Sequence, residues 1–215
     1  MDHWEFIKLA IYKFITLDYM PKFQSDLDFY LDLQEDKSLI RRKLEPIKFG
    51  IYYWFIKLES IGLIIKTTIN PVNLFTQKIN GVDYILIYIG IGPRNIKTKK
   101  QFFNSRILEC HLGNQITKST FRMALASCFE YNSYKRQVGK DLKYFLSYDD
   151  ELLLTSFIKS NFILGIKKHP SPWDVEDMEI NLYTPPLNIQ HNKKGWNLEN
   201  IKLLRKSIRD RAILI

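Results

Sequence analysis

The residues best suited to chemistry lie between Tyr84 and His111, where a strand-like run leads into a glycine-containing loop and a basic segment. The run Tyr84–Gly90 is aromatic and β-branched, and Gly92-Pro93 then predicts a tight turn. The basic segment contains Lys97, Lys99, Lys100 and Arg106. A strand, a turn and a basic helix in this order can present polar groups to a phosphate, since glycine lets a backbone approach closely. The pattern indicates a phosphate site, and two further segments strengthen it.

The charge distribution points to a polyanionic partner. The chain of 215 residues has a net charge of +9, and residues 91–146 alone hold eleven basic and three acidic side chains. Residues 1–45, by contrast, hold seven basic and nine acidic side chains. A concentrated basic segment is typical of a surface that faces nucleic acid, although a solvated lysine-rich face gives the same count. The predicted nucleic-acid contacts are Arg94, Lys97, Lys99, Lys100, Lys118 and Arg122.

Two apolar strands are predicted to hold the site. Phe49–Ile56 is aromatic and β-branched throughout, which is typical of a buried strand, and Asn80-Gly81 predicts a turn into the strand at residues 84–88. The two strands are expected to pair antiparallel, with an excursion over residues 66–80 between them. Short strands are also predicted at residues 143–147 and 162–166.

Helices are predicted on both sides of these strands. The first 45 residues are expected to form a helical extension, from the patterns at residues 4–14 and 27–33. The later helices are predicted at residues 102–111, from 121 onward, at 149–160, at 175–182 and at 198–213. The last of these is basic and amphipathic, with Leu203, Leu204 and Ile208 predicted to face inward.

The chain is predicted to be a reduced, cytoplasmic protein. Its two cysteines, Cys110 and Cys128, have no CxxC spacing. Asp2 and Glu5 stand where a signal peptide would carry basic residues. The most apolar stretch, residues 47–65, is interrupted by charges and does not predict a membrane span.

Five features in a fixed order resemble the GIY-YIG nuclease family. Gly50-Ile51-Tyr52 and Tyr88-Ile89-Gly90 are literal copies of the two tripeptides that name the family. Arg106 fits the arginine that the family places on the helix after the second tripeptide. Glu176 and Asn188 are twelve residues apart, with a proline pair between them, as the family's glutamate and asparagine are. The resemblance covers roughly residues 46–190.

The resemblance implies an α+β fold in which helices flank a small three-stranded antiparallel sheet. It divides the chain into an N-terminal helical extension, residues 1–45, and a nuclease domain, residues 46–215. The two tyrosines are 36 residues apart, further than in compact members. Larger relatives, restriction enzymes among them, have insertions at this point, and here the insertion is placed at about residues 58–83.

The resemblance also implies hydrolysis of a phosphodiester with a divalent metal ion, Mg²⁺ or Mn²⁺ as its substitute. Glu176 would bind the ion, as a hard oxygen ligand. Arg106 would bind a phosphate oxygen, and Tyr52 would orient or deprotonate the attacking water. Tyr88 would hydrogen-bond the phosphate or the water, and Asn188 would brace the site.

His111 is a further catalytic candidate. Some family members carry a histidine four residues after the arginine, but here that position is Cys110 and the histidine follows one residue later. A shift of one residue on an α-helix turns a side chain by about 100°. His111 therefore departs from the family's spacing and is kept apart from the five matching residues, as a possible member of the site.

Each of these residues also has an ordinary structural explanation. Tyr52 and Tyr88 would be half-buried strand aromatics, Arg106 one more basic helix residue, and Glu176 a solvated carboxylate beside other acids. The shared order and spacing favour a nuclease site. We therefore expect an endonuclease that acts on DNA, in restriction or defence. The alternatives are a non-catalytic nucleic-acid-binding module on the same fold and an RNA-cleaving nuclease. Cutting both strands would require a homodimer or two sequential nicks.

Overall fold

A computed structural model describes residues 22–24, 26–64, 74–93, 102–129, 131–193 and 197–215 of the chain. Several predictions lie outside these residues: the helix at residues 4–14, and the basic side chains Arg94, Lys97, Lys99 and Lys100. Within the described ranges, no helix is both long and apolar enough to cross a membrane.

The strands form two sheets. Their bounds are β1 Phe29–Asp32, β2 Gly50–Lys57, β3 Thr76–Ile79, β4 Val82–Gly92, β5 Ser133–Val138, β6 Asp141–Leu146, β7 Phe162–Lys168 and β8 Ile213–Leu214. The main sheet has five strands in the order β1-β7-β2-β4-β3, and every pair in it is antiparallel. Helices flank an antiparallel sheet as predicted, but the prediction of three strands is wrong. Strands β7, β2 and β4 form the centre, and the short strands β1 and β3 extend the edges.

The edge strand β1 corrects the prediction for the N-terminal extension. Residues 27–33 were expected to be helical, but Phe29–Asp32 is a strand that pairs antiparallel with β7. The four-residue segment is too short to show a period of its own, and the alternation of apolar residues with aspartates looked like a helix face. At the opposite edge, β3 comes from the predicted insertion and pairs with β4.

The central strands are buried on both faces, which explains their continuous apolar sequence. Along β2, Tyr52 and Trp54 belong to one buried cluster, and Tyr53 and Phe55 belong to another. On the first face, the Trp54 ring stacks on Phe121 with a centroid distance of 4.3 Å. The main sheet therefore separates two buried cores.

The predicted turn before β4 is confirmed. Asn80 and Gly81 have φ angles of 50° and 81°, and Ile79 pairs with Val82 across the turn. Two consecutive residues with positive φ match the type I′ hairpin that an Asn-Gly pair favours. This turn leads directly into the longest strand of the main sheet.

The helices surround the main sheet. Their bounds are α1 Lys37–Leu44, α2 Phe103–Ser105, α3 Thr120–Ala126, α4 Tyr148–Asn161, α5 Glu176–Tyr183 and α6 Leu198–Asp210. Side-chain caps begin three of them: Asp36 accepts from the Ser38 amide, Ser119 from the Arg122 amide, and Ser147 from the Asp150 amide. The helices predicted at residues 149–160 and 175–182 are confirmed within one residue at each end.

A second sheet has the strand order β6-β5-β8. The final helix, α6, was predicted to end at Ile213, but it ends at Asp210. Residues Ile213–Leu214 form strand β8, which pairs in parallel with β5. The predicted inward face of α6 is partly wrong: Ile201 and Ile208 are buried, but Leu203 is exposed. The Ser133 hydroxyl donates to the Ile208 carbonyl at 2.6 Å, which ties the helix to this sheet.

Candidate active site

The two tripeptides lie side by side in the main sheet. Tyr52 on β2 is opposite Gly90 on β4, and Trp54 is opposite Tyr88. Cross-strand partners share a face of a sheet, so Tyr52 and Tyr88 point to the same side. Any side chain at position 90 would collide with the Tyr52 hydroxyl. Glycine at that position therefore makes room for the tyrosine ring across the neighbouring strand.

The segment after α2 is wound more loosely than an α-helix. Arg106–His111 is a π-helix, and the Leu112 amide donates to the Ile107 carbonyl, five residues earlier, at 2.9 Å. In a π-helix the hydrogen bonds run from i to i+5, so residues five apart lie on the same side. Arg106 and His111 are five apart, and both side chains reach the Tyr52 hydroxyl. The turn of about 100° that separates His111 from the family position applies to an α-helix, and the π-helical winding instead brings His111 to Tyr52.

The Tyr52 hydroxyl is the atom on which this part of the site converges. His111 Nε2 lies 2.8 Å from it, and Arg106 Nε donates to it at the long distance of 3.4 Å. The other ring nitrogen of the histidine, His111 Nδ1, lies 2.6 Å from the Ser119 hydroxyl oxygen. A neutral His111 protonated on Nδ1 satisfies both contacts, since Nε2 then accepts the Tyr52 proton.

The buried ion pair of Arg122 and Glu151 supports the backbone of His111. Arg122 Nη2 donates to the Glu151 carboxylate at 2.6 Å, and Arg122 Nη1 donates to the His111 carbonyl at 3.2 Å. The other carboxylate oxygen of Glu151 accepts from the Ile116 amide at 2.7 Å. The Arg122 side chain is fully buried, so its prediction as a nucleic-acid contact is wrong. Its charge faces a carboxylate inside the protein instead of a phosphate.

Lys118 was also predicted to contact nucleic acid. Its side chain is exposed, and its carbonyl accepts from Arg106 Nη1 at 3.3 Å. The backbone of Lys118 thus holds the Arg106 guanidinium in place, while its ammonium group is available to solvent. The contact with nucleic acid stays a prediction.

Burial determines the protonation of the central tyrosine. Burial raises the pKa of Tyr52 well above its ordinary value of 10.0, and the opposing effect of the Arg106 cation is smaller. For Arg106, burial acts to lower the pKa, but the neighbouring Tyr52, Tyr88 and Cys110 outweigh it and the net pKa is raised. The site therefore contains a protonated tyrosine beside a charged guanidinium at neutral pH. The Arg106 cation alone does not make Tyr52 a ready base.

We expect Tyr52 to stay protonated when ordinary tyrosines ionise, near a pH of about 10. A raised pKa keeps the proton on the hydroxyl as the pH increases, so Tyr52 should add nothing to the tyrosinate absorbance there. In an alkaline titration of the folded, ion-free protein, the parent and Tyr52→Phe should show the same absorbance change up to this pH. An additional tyrosinate in the parent at or below neutral pH would contradict this assignment.

Glu176 is the carboxylate that faces this group. It is the first residue of α5, and it lines the same hollow of about 600 Å³ as Tyr52, Tyr88 and Arg106. Its charge contributes to the raised pKa of Tyr52. The hollow thus brings a carboxylate, a guanidinium and two phenols together, which is an arrangement suited to a metal-bound phosphate.

Asn188 also lines the hollow, but both ends of its amide are engaged. Its Oδ1 accepts from the Ile89 amide at 2.8 Å, and its Nδ2 donates to the Ile89 carbonyl at 2.8 Å. The Leu187 amide adds a bond to the Ile87 carbonyl at 3.0 Å. These contacts attach the segment after α5 to β4, beside Tyr88. Asn188 therefore has the contacts of a residue that braces the site.

Sequence reasoning missed several residues of the hollow. Thr120 lies 2.9 Å from the Tyr88 hydroxyl, and no spacing in the sequence pointed to it. The C-terminal helix α6 contributes three cations to the lining, Lys202, Arg205 and Arg209. The sequence marked this helix as basic, but it did not show which of its basic residues turn toward the tyrosines.

The comparison with known families agrees with this geometry. The family model of the GIY-YIG catalytic domain matches residues 50–210, which is most of the chain. Searches of curated proteins and of solved structures found no match. The matched range includes both tripeptides, Arg106, Glu176 and Asn188. The chain therefore belongs to the GIY-YIG family and carries its endonuclease domain.

Proposed function

We propose that the protein is a divalent-metal-dependent endonuclease that hydrolyses phosphodiester bonds in double-stranded DNA. The observation that supports this most strongly is the shared hollow of Tyr52, Arg106 and Glu176. Phosphoryl transfer needs positioning and neutralisation of charge more than covalent chemistry. A carboxylate for the ion and a guanidinium for the phosphate provide both within one hollow.

The residues present fit a Mg²⁺ ion that is shared with the substrate. Among the described residues, no group of three or more His, Cys, Asp or Glu side chains could hold an ion by itself. Mg²⁺ commonly binds through one or two carboxylates, with water and phosphate oxygens completing its shell. Glu176 would be the protein ligand, and Mn²⁺ would serve as a substitute. When bound, the ion supplies Lewis-acid polarisation of the phosphate.

Arg106 would bind a non-bridging phosphate oxygen. Its guanidinium is charged, is buried against Tyr52, and is held by the Lys118 carbonyl. Bonds between an arginine and an anionic oxygen are short and strong, and their strength grows as charge builds on the phosphate. Arg106 would therefore stabilise the transition state.

Tyr52 and His111 would together accept the proton of the attacking water. Because burial raises the pKa of Tyr52, its hydroxyl needs a partner that takes its own proton. His111 Nε2 lies 2.8 Å away in a position to do so. As the water attacks phosphorus, its proton would pass to the Tyr52 oxygen while the Tyr52 proton passes to His111 Nε2. The bond between phosphorus and the leaving ester oxygen would break, and that oxygen would take a proton from solvent water. Tyr88 would hydrogen-bond the phosphate or the attacking water beside Tyr52 and His111.

The charge of the chain supports a nucleic-acid substrate. The net charge is +9, and the segment 91–146 around the site residues carries much of it. DNA as the substrate, a cytoplasmic role in restriction or defence, and a homodimer that cuts both strands are parts of the proposal. They follow from the resemblance to the larger, restriction-enzyme-like members.

Supercoiled plasmid tests this proposal directly. We expect the purified protein to convert it to open-circular or linear forms with Mg²⁺ or Mn²⁺, and to leave it intact with EDTA. Cleavage that continues at the same rate in EDTA would contradict the metal dependence. Salt-sensitive binding without cleavage of any substrate would identify a binding module instead. RNA of matched length, offered beside the DNA, distinguishes the RNA-cleaving alternative.

A further inference from the structure

Helix α6 turns a row of cations toward the active-site hollow. Lys202, Arg205 and Arg209 are spaced at i, i+3 and i+7, which places them on one side of the helix, and all three line the hollow. The helix is anchored by Ile201 and Ile208, which are buried. The row is therefore a fixed feature of the wall beside Tyr88.

Arg205 is the central residue of this row. Its side chain is partly buried, and within the part of the chain that the structure describes it has no hydrogen bond or acidic partner. Burial lowers its pKa, and the neighbouring Arg209 cation lowers it further. A partly buried cation without a counter-charge destabilises the folded protein until an anion binds beside it.

The contrast with Arg122 shows what a structural arginine looks like in this fold. Arg122 is buried against the Glu151 carboxylate and donates to three further oxygens, the His111 and Glu151 carbonyls and the Thr155 hydroxyl. Arg205 has no such set of acceptors in the described residues. Buried charges are normally paired, so an unpaired one that lines a hollow indicates an anionic ligand.

The two flanking cations have contacts that leave them available to a ligand. The Arg209 guanidinium lies over the Tyr144 ring, 5.6 Å from its centroid. This contact orients the cation, and the neutral ring does not cancel its charge. Lys202 contacts the Glu199 carboxylate at 2.7 Å, but that carboxylate is 80% exposed. An exposed ion pair of this kind contributes little and exchanges readily for another anion.

We infer that Lys202, Arg205 and Arg209 bind a second, non-scissile phosphate of the strand that is cut, beside the phosphate held by Arg106. This deepens the proposed function and rests on it. Contacts to backbone phosphates set the position of a nucleic acid and carry no base information. The row would therefore fix which phosphodiester enters the hollow, and it would act on binding, not on bond cleavage.

The test compares Arg205→Ala with Lys206→Ala, a matched loss of charge at an exposed neighbour that does not line the hollow. Because hydrogen bonds to charged groups are stronger than neutral ones, Arg205→Ala should raise KM by about tenfold or more. Its kcat should stay within about twofold of the parent's. A plot of the logarithm of the DNA association constant against the logarithm of the salt concentration should have a slope whose magnitude is smaller by about 0.9. Lys206→Ala should change none of these values appreciably. Removing the unpaired charge should leave the melting temperature unchanged or raise it.

The outcomes separate this inference from the proposed function. If the parent cuts and Arg205→Ala matches it in KM and salt slope, or resembles Lys206→Ala, the second phosphate site is refuted. A lower melting temperature with unchanged KM would show that Arg205 is structural, and would equally refute it. If Arg205→Ala does not fold, Lys202→Ala supplies the same comparison of KM and salt slope. A parent that neither binds nor cuts nucleic acid would overturn the proposed function, and this site with it.

Discussion

Glu151→Ala should be among the most destabilising single substitutions in this protein. The Glu151 carboxylate is buried, accepts from Arg122 at 2.6 Å and from the Ile116 amide at 2.7 Å, and has no equivalent substitute nearby in the described residues. Its removal leaves the Arg122 cation buried without a counter-charge. Breaking one side of a buried ion pair typically costs about 3 to 5 kcal/mol. Chemical denaturation of the parent and the variant measures this difference in the free energy of unfolding.

Asp149→Ala is the matched control for this prediction. Asp149 lies in the first turn of the same helix and is exposed, so its loss should cost less than about 1 kcal/mol. If both variants unfold at the same denaturant concentration, the ion pair does not support the fold as described. Because Arg122 also donates to the His111 carbonyl, a loss of this pair should weaken the support behind the active site.

Much of the candidate site was predictable from the sequence because its residues occur in a fixed order. The two tripeptides predicted paired strands, and the register places Tyr52 opposite Gly90. Arg106 and Glu176 were predicted from their places in the pattern, and both line the hollow. The twelve-residue spacing to Asn188 reflects one helix and one turn back to β4, where its amide bonds to Ile89. These relations are local or follow directly from strand pairing.

The errors came from features that depend on the rest of the fold. The spacing of His111 was judged by α-helical geometry, but Arg106–His111 is π-helical, and no local pattern predicts that winding. Arg122 counted as a surface cation, because its partner Glu151 is 29 residues away in the sequence. The edge strand β1 is stabilised by pairing with β7, which begins 130 residues after β1 ends, so its own four residues carried too little signal.

Glu176→Ala should have the largest effect on catalysis. Glu176 begins α5, faces Tyr52 and Arg106 across the hollow, and is the proposed protein ligand of the metal ion. A metal ion contributes several kcal/mol to transition-state stabilisation, and each 1.36 kcal/mol changes a rate about tenfold. We therefore expect kcat to fall by about a thousandfold. Binding of DNA should persist, because the substitution removes a negative charge from a basic site.

The control for this variant is Asp174→Ala, which removes an exposed carboxylate two residues earlier that does not line the hollow. The decisive measurement is the rate of plasmid cleavage in Mg²⁺ by the parent, Asp174→Ala and Glu176→Ala at equal occupancy of DNA. We expect the parent and Asp174→Ala to cut at similar rates, and Glu176→Ala to be nearly inactive while it still binds DNA. Cleavage by Glu176→Ala at the rate of the parent would contradict the convergence of Tyr52, Arg106 and a Glu176-bound ion on one phosphate.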